Sequence, residues 1–157
     1  MIRDNELIFA TATSPTTTDI CLASNIWNSG PLASSPFANT GRDLGAGEEA
    51  WLEIVVTASA LSAASASVIS WQLVTASASD LTSFTVMAET DGATAGTWIA
   101  GTRRRLRIPP HATNWRQYVG VNCKITLGVL SALAYSAYIV KAIDTVKAYA
   151  PGFKLDA

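Results

Sequence analysis

Charge is what this sequence has least of. Of its 157 residues, 15% are Asp, Glu, Lys or Arg, where soluble domains usually carry about 25%. The two signs nearly cancel, with 11 Lys+Arg against 12 Asp+Glu. This argues against a protein that grips nucleic acid or an anionic membrane over its whole surface, because both partners demand a broadly basic face. Histidine is almost absent: His111 is the one copy, directly after Pro109-Pro110 in a turn-forming context. Acid–base and nucleophilic catalysis need a positioned proton acceptor, and little here supplies one, so no catalytic residue is expected. Cysteine is equally scarce. Cys21 and Cys123 stand far apart, with no paired Cys or Cys/His spacing near either. They read as reduced, buried thiols and suggest neither a metal nor a cofactor.

A long apolar run is missing too. No residue from Ile54 to Ser79 is charged, but Ser59, Ser62, Ser65, Ser67, Ser70 and Gln72 interrupt the stretch, and a membrane-spanning helix needs ~20 predominantly apolar residues. The opening "MIRDNELIFA" places Asp4 and Glu6 before a very short apolar patch, unlike the basic and then apolar segments of a secretory signal. Neither a membrane nor that export route is expected.

What the chain does have is period-two alternation in short runs separated by turn-forming residues, the pattern of an antiparallel all-β sandwich or barrel. In "AWLEIVVTA", Trp51, Glu53 and Val55 fall on one face and Leu52, Ile54 and Val56 on the other. In "SVISWQLVT", Ile69, Trp71 and Leu73 oppose Ser70 and Gln72. Further strands are expected at residues 6–11, 19–25, 83–88, 97–100, 104–108, 117–126 and 130–142, about nine in all. The Ala-rich final stretch has helical propensity, yet Leu133, Tyr135, Ala137 and Ile139 alternate with smaller or polar neighbours. Residues 1–157 form one domain on grounds of length. Two extensions are expected: an N-terminal arm over 1–9 and a long loop over 28–47, where Gly, Pro, Ser and Asn replace any apolar pattern.

Candidate chemistry is sparse. Glu48 and Glu49 are adjacent, so on a strand they point to opposite faces and cannot work as a pair. "GRDLGAG" lacks the Lys-Ser/Thr ending and following helix of a phosphate loop, and Asp91-Gly92 is a hairpin signal. Five tryptophans allow a carbohydrate-binding reading if their rings are exposed, and core or subunit packing otherwise. The sharpest local feature is "TRRRLRIPP", with Arg103, Arg104, Arg105 and Arg107 inside five positions. If Arg104, Leu106 and Ile108 share one strand face, Arg103, Arg105 and Arg107 form a row on the other, at intervals of roughly 6 to 7 Å. That row can be a solvated edge-strand face, a surface for carboxylates of a neighbouring chain, or a nucleic-acid contact. The last is disfavoured because no aromatics interleave with it.

Four stretches, "MIRDNELIFATATSPTTT", "RDLGAGEEAWLEIVV" (42–56), "LRIPPHATNWRQYVGVNCKIT" (106–126) and "AYAPGFKL" (148–155), resemble in that order the Bbp16-like capsid cement proteins of tailed bacteriophages. The resemblance implies a jelly-roll β-sandwich that assembles as a homotrimer on the outer surface of the virion. There it would bind the major capsid protein at threefold and quasi-threefold positions, after synthesis in the host cytoplasm. It carries no catalytic residues. The Pro-Pro turn before an aromatic strand matches Pro109, Pro110 and Tyr118. On this reading the residues expected at interfaces are Arg103, Arg105 and Arg107 of the row, with Ile2, Arg3 and Phe9 of the N-terminal arm.

Overall fold

A computed structural model of the chain describes residues 8–15, 20–28, 50–62, 67–108 and 115–141. Among them are nine β-strands: β1 (Ile8–Thr13), β2 (Trp27–Asn28), β3 (Ala50–Ser62), β4 (Val68–Ala76), β5 (Thr85–Glu89), β6 (Ala93–Thr94), β7 (Arg103–Arg107), β8 (Tyr118–Thr126) and β9 (Leu130–Lys141). One sheet runs β1-β9-β3-β7. The other runs β2-β8-β4-β5, with β6 also paired to β4. Every ladder is antiparallel. The fold is an all-β sandwich, as the alternation predicts.

The sheets meet through the faces that the sequence marks as apolar. Leu52, Ile54 and Val56 of β3 are buried, as are Ile69, Trp71 and Leu73 of β4 and Leu133, Tyr135 and Ala137 of β9. Trp71 packs edge-on against Tyr135 of the opposite sheet, with ring centroids 4.4 Å apart, and against Trp98 at 5.7 Å. Such edge-to-face geometry sets the positive ring edge against a negative ring face and adds to the large area each ring buries. Strand, not helix, is the state of 130–141: β9 sits between β1 and β3, where its alternating small and large residues fit the pleat.

The central strand β4 is buried along nearly its whole length, so the polar residues on its outer face need partners. Ser70 Oγ donates to Glu89 Oε1 at 2.7 Å, and Gln72 Oε1 accepts from Asn122 Nδ2 at 2.8 Å. Thr75, which shares the parity of Ile69, Trp71 and Leu73 near the strand end, is satisfied as well: its Oγ1 accepts the Arg116 N–H at 2.9 Å. A smaller cluster of Val74, Ala76 and Leu81, with Leu22, Ile26, Phe84 and Tyr118 against it, covers the outer side of the sheet.

Several expectations are corrected. Of the strand expected over 19–25, the described residues 20–25 form none: they make an isolated bridge at Leu22↔Asn122, and the neighbouring strand is the two-residue β2. Residues 97–100 are not extended either. A 3-10 turn covers Ala95–Thr97, the Trp98 N–H donates to the Ala95 carbonyl at 3.0 Å, and the chain turns again at Gly101 (φ 91°). Burying the Trp98 ring, whose Nε1 donates to the Ala93 carbonyl at 3.2 Å, outweighs a two-residue period there. Asp91-Gly92 makes no hairpin: β5 and β6 both run antiparallel to β4 in one direction, so the dipeptide interrupts a single edge strand. Of the proposed arm, residues 1–7 lie outside the described residues, whereas Ile8 and Phe9 belong to β1 and Phe9 is 1% exposed within the core. Phe9 therefore packs within its own chain. Ile2, Arg3 and most of the 28–47 loop lie outside the described residues, and Asn28 belongs to β2.

Candidate functional site

The arginine-rich stretch forms β7, an edge strand of its sheet among the described residues. Its alternation follows the sequence reading. Leu106 turns inward and is buried, as is Ile108 just beyond the strand end. Arg104 shares that parity, and its guanidinium lies over the Trp98 ring at 5.5 Å from the centroid. The charged head thus stays at the rim in water while covering the face of a buried aromatic.

Arg103 and Arg105 stand on the opposite, outer face, and there the structure supplies a partner within the same chain. In the β3–β7 register Arg105 is directly opposite Glu53. Arg105 Nη2 lies 3.4 Å from Glu53 Oε1, and Arg103 Nη1 lies 3.6 Å from the same oxygen. One carboxylate therefore serves two guanidinium groups. The carboxylate is 1% exposed, whereas both arginine side chains are 62% exposed. Arg107 continues the row opposite Trp51.

The sequence reading separates Glu53 from Leu52 and Ile54 on one strand and the arginine row from Leu106 and Ile108 on another, but no local signal joins the two strands. Of the tryptophans, Trp27, Trp71, Trp98 and Trp115 are buried and Trp51 is partly covered. Stacking of sugars on tryptophan rings thus has the partly covered Trp51 as its remaining candidate among the five.

Catalytic, metal and membrane signals are equally thin. Among the described residues no group of three or more His, Cys, Asp or Glu is placed to hold a metal, and no helix is long and apolar enough to cross a membrane. The two carboxyls held low are tied to local hydrogen bonds. Asp80 accepts from the Thr82 N–H and hydroxyl, and Glu89 accepts from Ser70. Burial pushes the Tyr135 hydroxyl and the Cys123 thiol far up. Both are thereby kept neutral and unreactive, the opposite of activated groups.

In comparison with known proteins, the family model described as Bbp16 matches residues 4–139. No curated protein matches the chain.

Proposed function

The chain belongs to the Bbp16 family, and from that premise we propose that it is a structural protein of a tailed bacteriophage: a cement protein on the outer surface of the capsid. It binds the major capsid protein as a homotrimer at threefold and quasi-threefold positions and stiffens the shell. The observation that carries the reading is the family match, which runs from residue 4 to residue 139 and so spans all the strands but the last two residues of β9.

The fold supports it. When β5 and β6 count as one interrupted strand, successive strands change sheet at every step except β4 to β5, which are neighbours in one sheet; this order supports a jelly-roll reading, an architecture common in capsid and lectin domains. Function does not follow from a fold alone. The low charge of the chain adds a physical reason, since subunit contacts cover surface that a monomer must keep solvated.

Two measurements test this reading. Native mass spectrometry at low micromolar concentration should show three chains, closed by cyclic symmetry. Co-sedimentation with phage heads assembled without this protein should show saturable retention. A monomer that stays in the supernatant would exclude it.

A further inference from the structure

An exposed sheet edge presents unpaired main-chain N–H and C=O groups, and proteins blunt such edges by bulges, by very short strands or by charge. In this sandwich most edges are blunted by geometry. β1 shows two register irregularities against β9, and β2 has two residues. β5 carries a register shift and gives way to the two-residue β6. β7 differs: its five residues pair with Trp51, Leu52, Glu53, Ile54 and Val55 in unbroken register.

The direction of its main-chain groups follows from the two bonds that flank the ladder. The Val56 N–H donates to the Thr102 carbonyl, and the Ile108 N–H donates to the Ala50 carbonyl, each at 2.9 Å. Hydrogen-bonded and non-hydrogen-bonded positions alternate along an antiparallel pair. Residues 104 and 106 therefore turn their N–H and C=O toward β3, and Arg103 and Arg105 turn theirs to the side away from β3, where no described strand pairs with them. The same two residues carry guanidinium groups on the outer face, where they share the single carboxylate of Glu53. Among the described residues, two positive charges thus stand against one negative.

Charge of this kind repels basic strands and gives neutral ones nothing in exchange for desolvation. It attracts a strand whose carboxylates fall at every second residue, because each can accept two parallel hydrogen bonds from a guanidinium. We propose that the β7 edge is a docking site for an extended, acid-bearing segment of another chain, which adds as an antiparallel strand through the main-chain groups of Arg103 and Arg105 and sets its carboxylates against their guanidinium groups. The inference rests on the edge geometry and holds whether or not the chain sits on a capsid.

The test uses the full chain and a short synthetic peptide alternating glutamate with threonine, followed by fluorescence anisotropy. In an antiparallel partner the glutamates opposite Arg103 and Arg105 turn their own N–H groups toward β7, and the threonines turn theirs away. N-methylation of the glutamate amides should therefore lower affinity at least about tenfold, and N-methylation of the threonine amides should leave it unchanged. A lysine–threonine peptide should not bind. Replacing Arg103 and Arg105 by Gln, with folding checked by circular dichroism, should weaken the glutamate peptide by about tenfold or more. The methylation arms need only the unmodified chain, so they decide the matter even if that variant does not fold. Absence of binding by the glutamate peptide, or equal effects of the two methylation patterns, would overturn the proposal in favour of a row that only keeps an edge strand in solution.

Discussion

Cys21 and Cys123 face each other across the antiparallel bridge that ties residues 20–23 to β8: the Cys123 N–H donates to the Cys21 carbonyl at 2.9 Å, one residue from the Leu22↔Asn122 pair. Both are buried, and neither is in a disulfide. The Cys21 N–H is held in turn by Asn122 Oδ1 at 2.8 Å, across 101 residues of sequence. Burial, with a smaller contribution from Cys21, pushes the Cys123 thiol far above its ordinary range. The thiolate is the reactive species, so Cys123 should stay unmodified in the folded chain. In a Cys21→Ala variant at neutral pH, Ellman's reagent should react only as fast as the chain unfolds, and fully once guanidinium is added. Rapid native labelling would contradict the packing described.

The Glu53 cluster should respond unequally to removal of its two sides. Replacing Arg103 and Arg105 by Gln leaves a buried carboxylate without its cations and should cost on the order of 2–3 kcal/mol, short of the value for a fully buried pair because the arginines are largely solvated. Glu53→Gln leaves two arginines that water already reaches, and about 1 kcal/mol or less is expected. Urea denaturation of the two variants checks the ordering. Equal losses would mean that Glu53 is better hydrated than its burial implies.

Gly120 lies under Leu81, and a Cβ added at Gly120 would collide with the Leu81 side chain. Leu81 has little room to yield: it is 1% exposed and its main chain is left-handed (φ 53°). Gly120→Ala should therefore destabilise by about 1–3 kcal/mol through overpacking. Leu81→Ala alone should cost about 2–4 kcal/mol. The double variant should lose less than the sum, because the added methyl enters space that the shortened side chain vacates. Strict additivity in urea unfolding would refute the contact.

Glu89 makes acid stability titratable. The Ser70 hydroxyl, donating at 2.7 Å, holds its carboxyl below the usual range despite partial desolvation, and Lys124, 4.0 Å away, adds a weaker pull. A carboxyl depressed in the folded state contributes stability above its unfolded value, and that contribution disappears as pH falls through the folded value. Wild type should accordingly lose more stability than Glu89→Gln between about pH 5 and pH 2. Parallel curves for the two proteins across that range would show that the hydrogen bond does not favour the ionised form.

The local reading succeeded where the physical cause is local. Successive side chains on a strand point to opposite faces, so the buried Leu52, Ile54 and Val56, and the separation of Leu106 from Arg103 and Arg105, were legible in the order of residues. The two-residue period failed where a buried ring governs the backbone, as at Trp98, and where a turn dipeptide falls inside an edge strand, as at Asp91-Gly92. Partner choice was beyond it altogether. Glu53 and Arg105 are 52 residues apart, and nothing near either one names the other. They meet because β3 and β7 dock in one register, and that register is set by the burial of whole strand faces across both sheets, since a one-residue slip would turn Leu52 and Ile54 out to water. The pleat assigned each side chain to a face; only the packed sandwich decided which side chains share it.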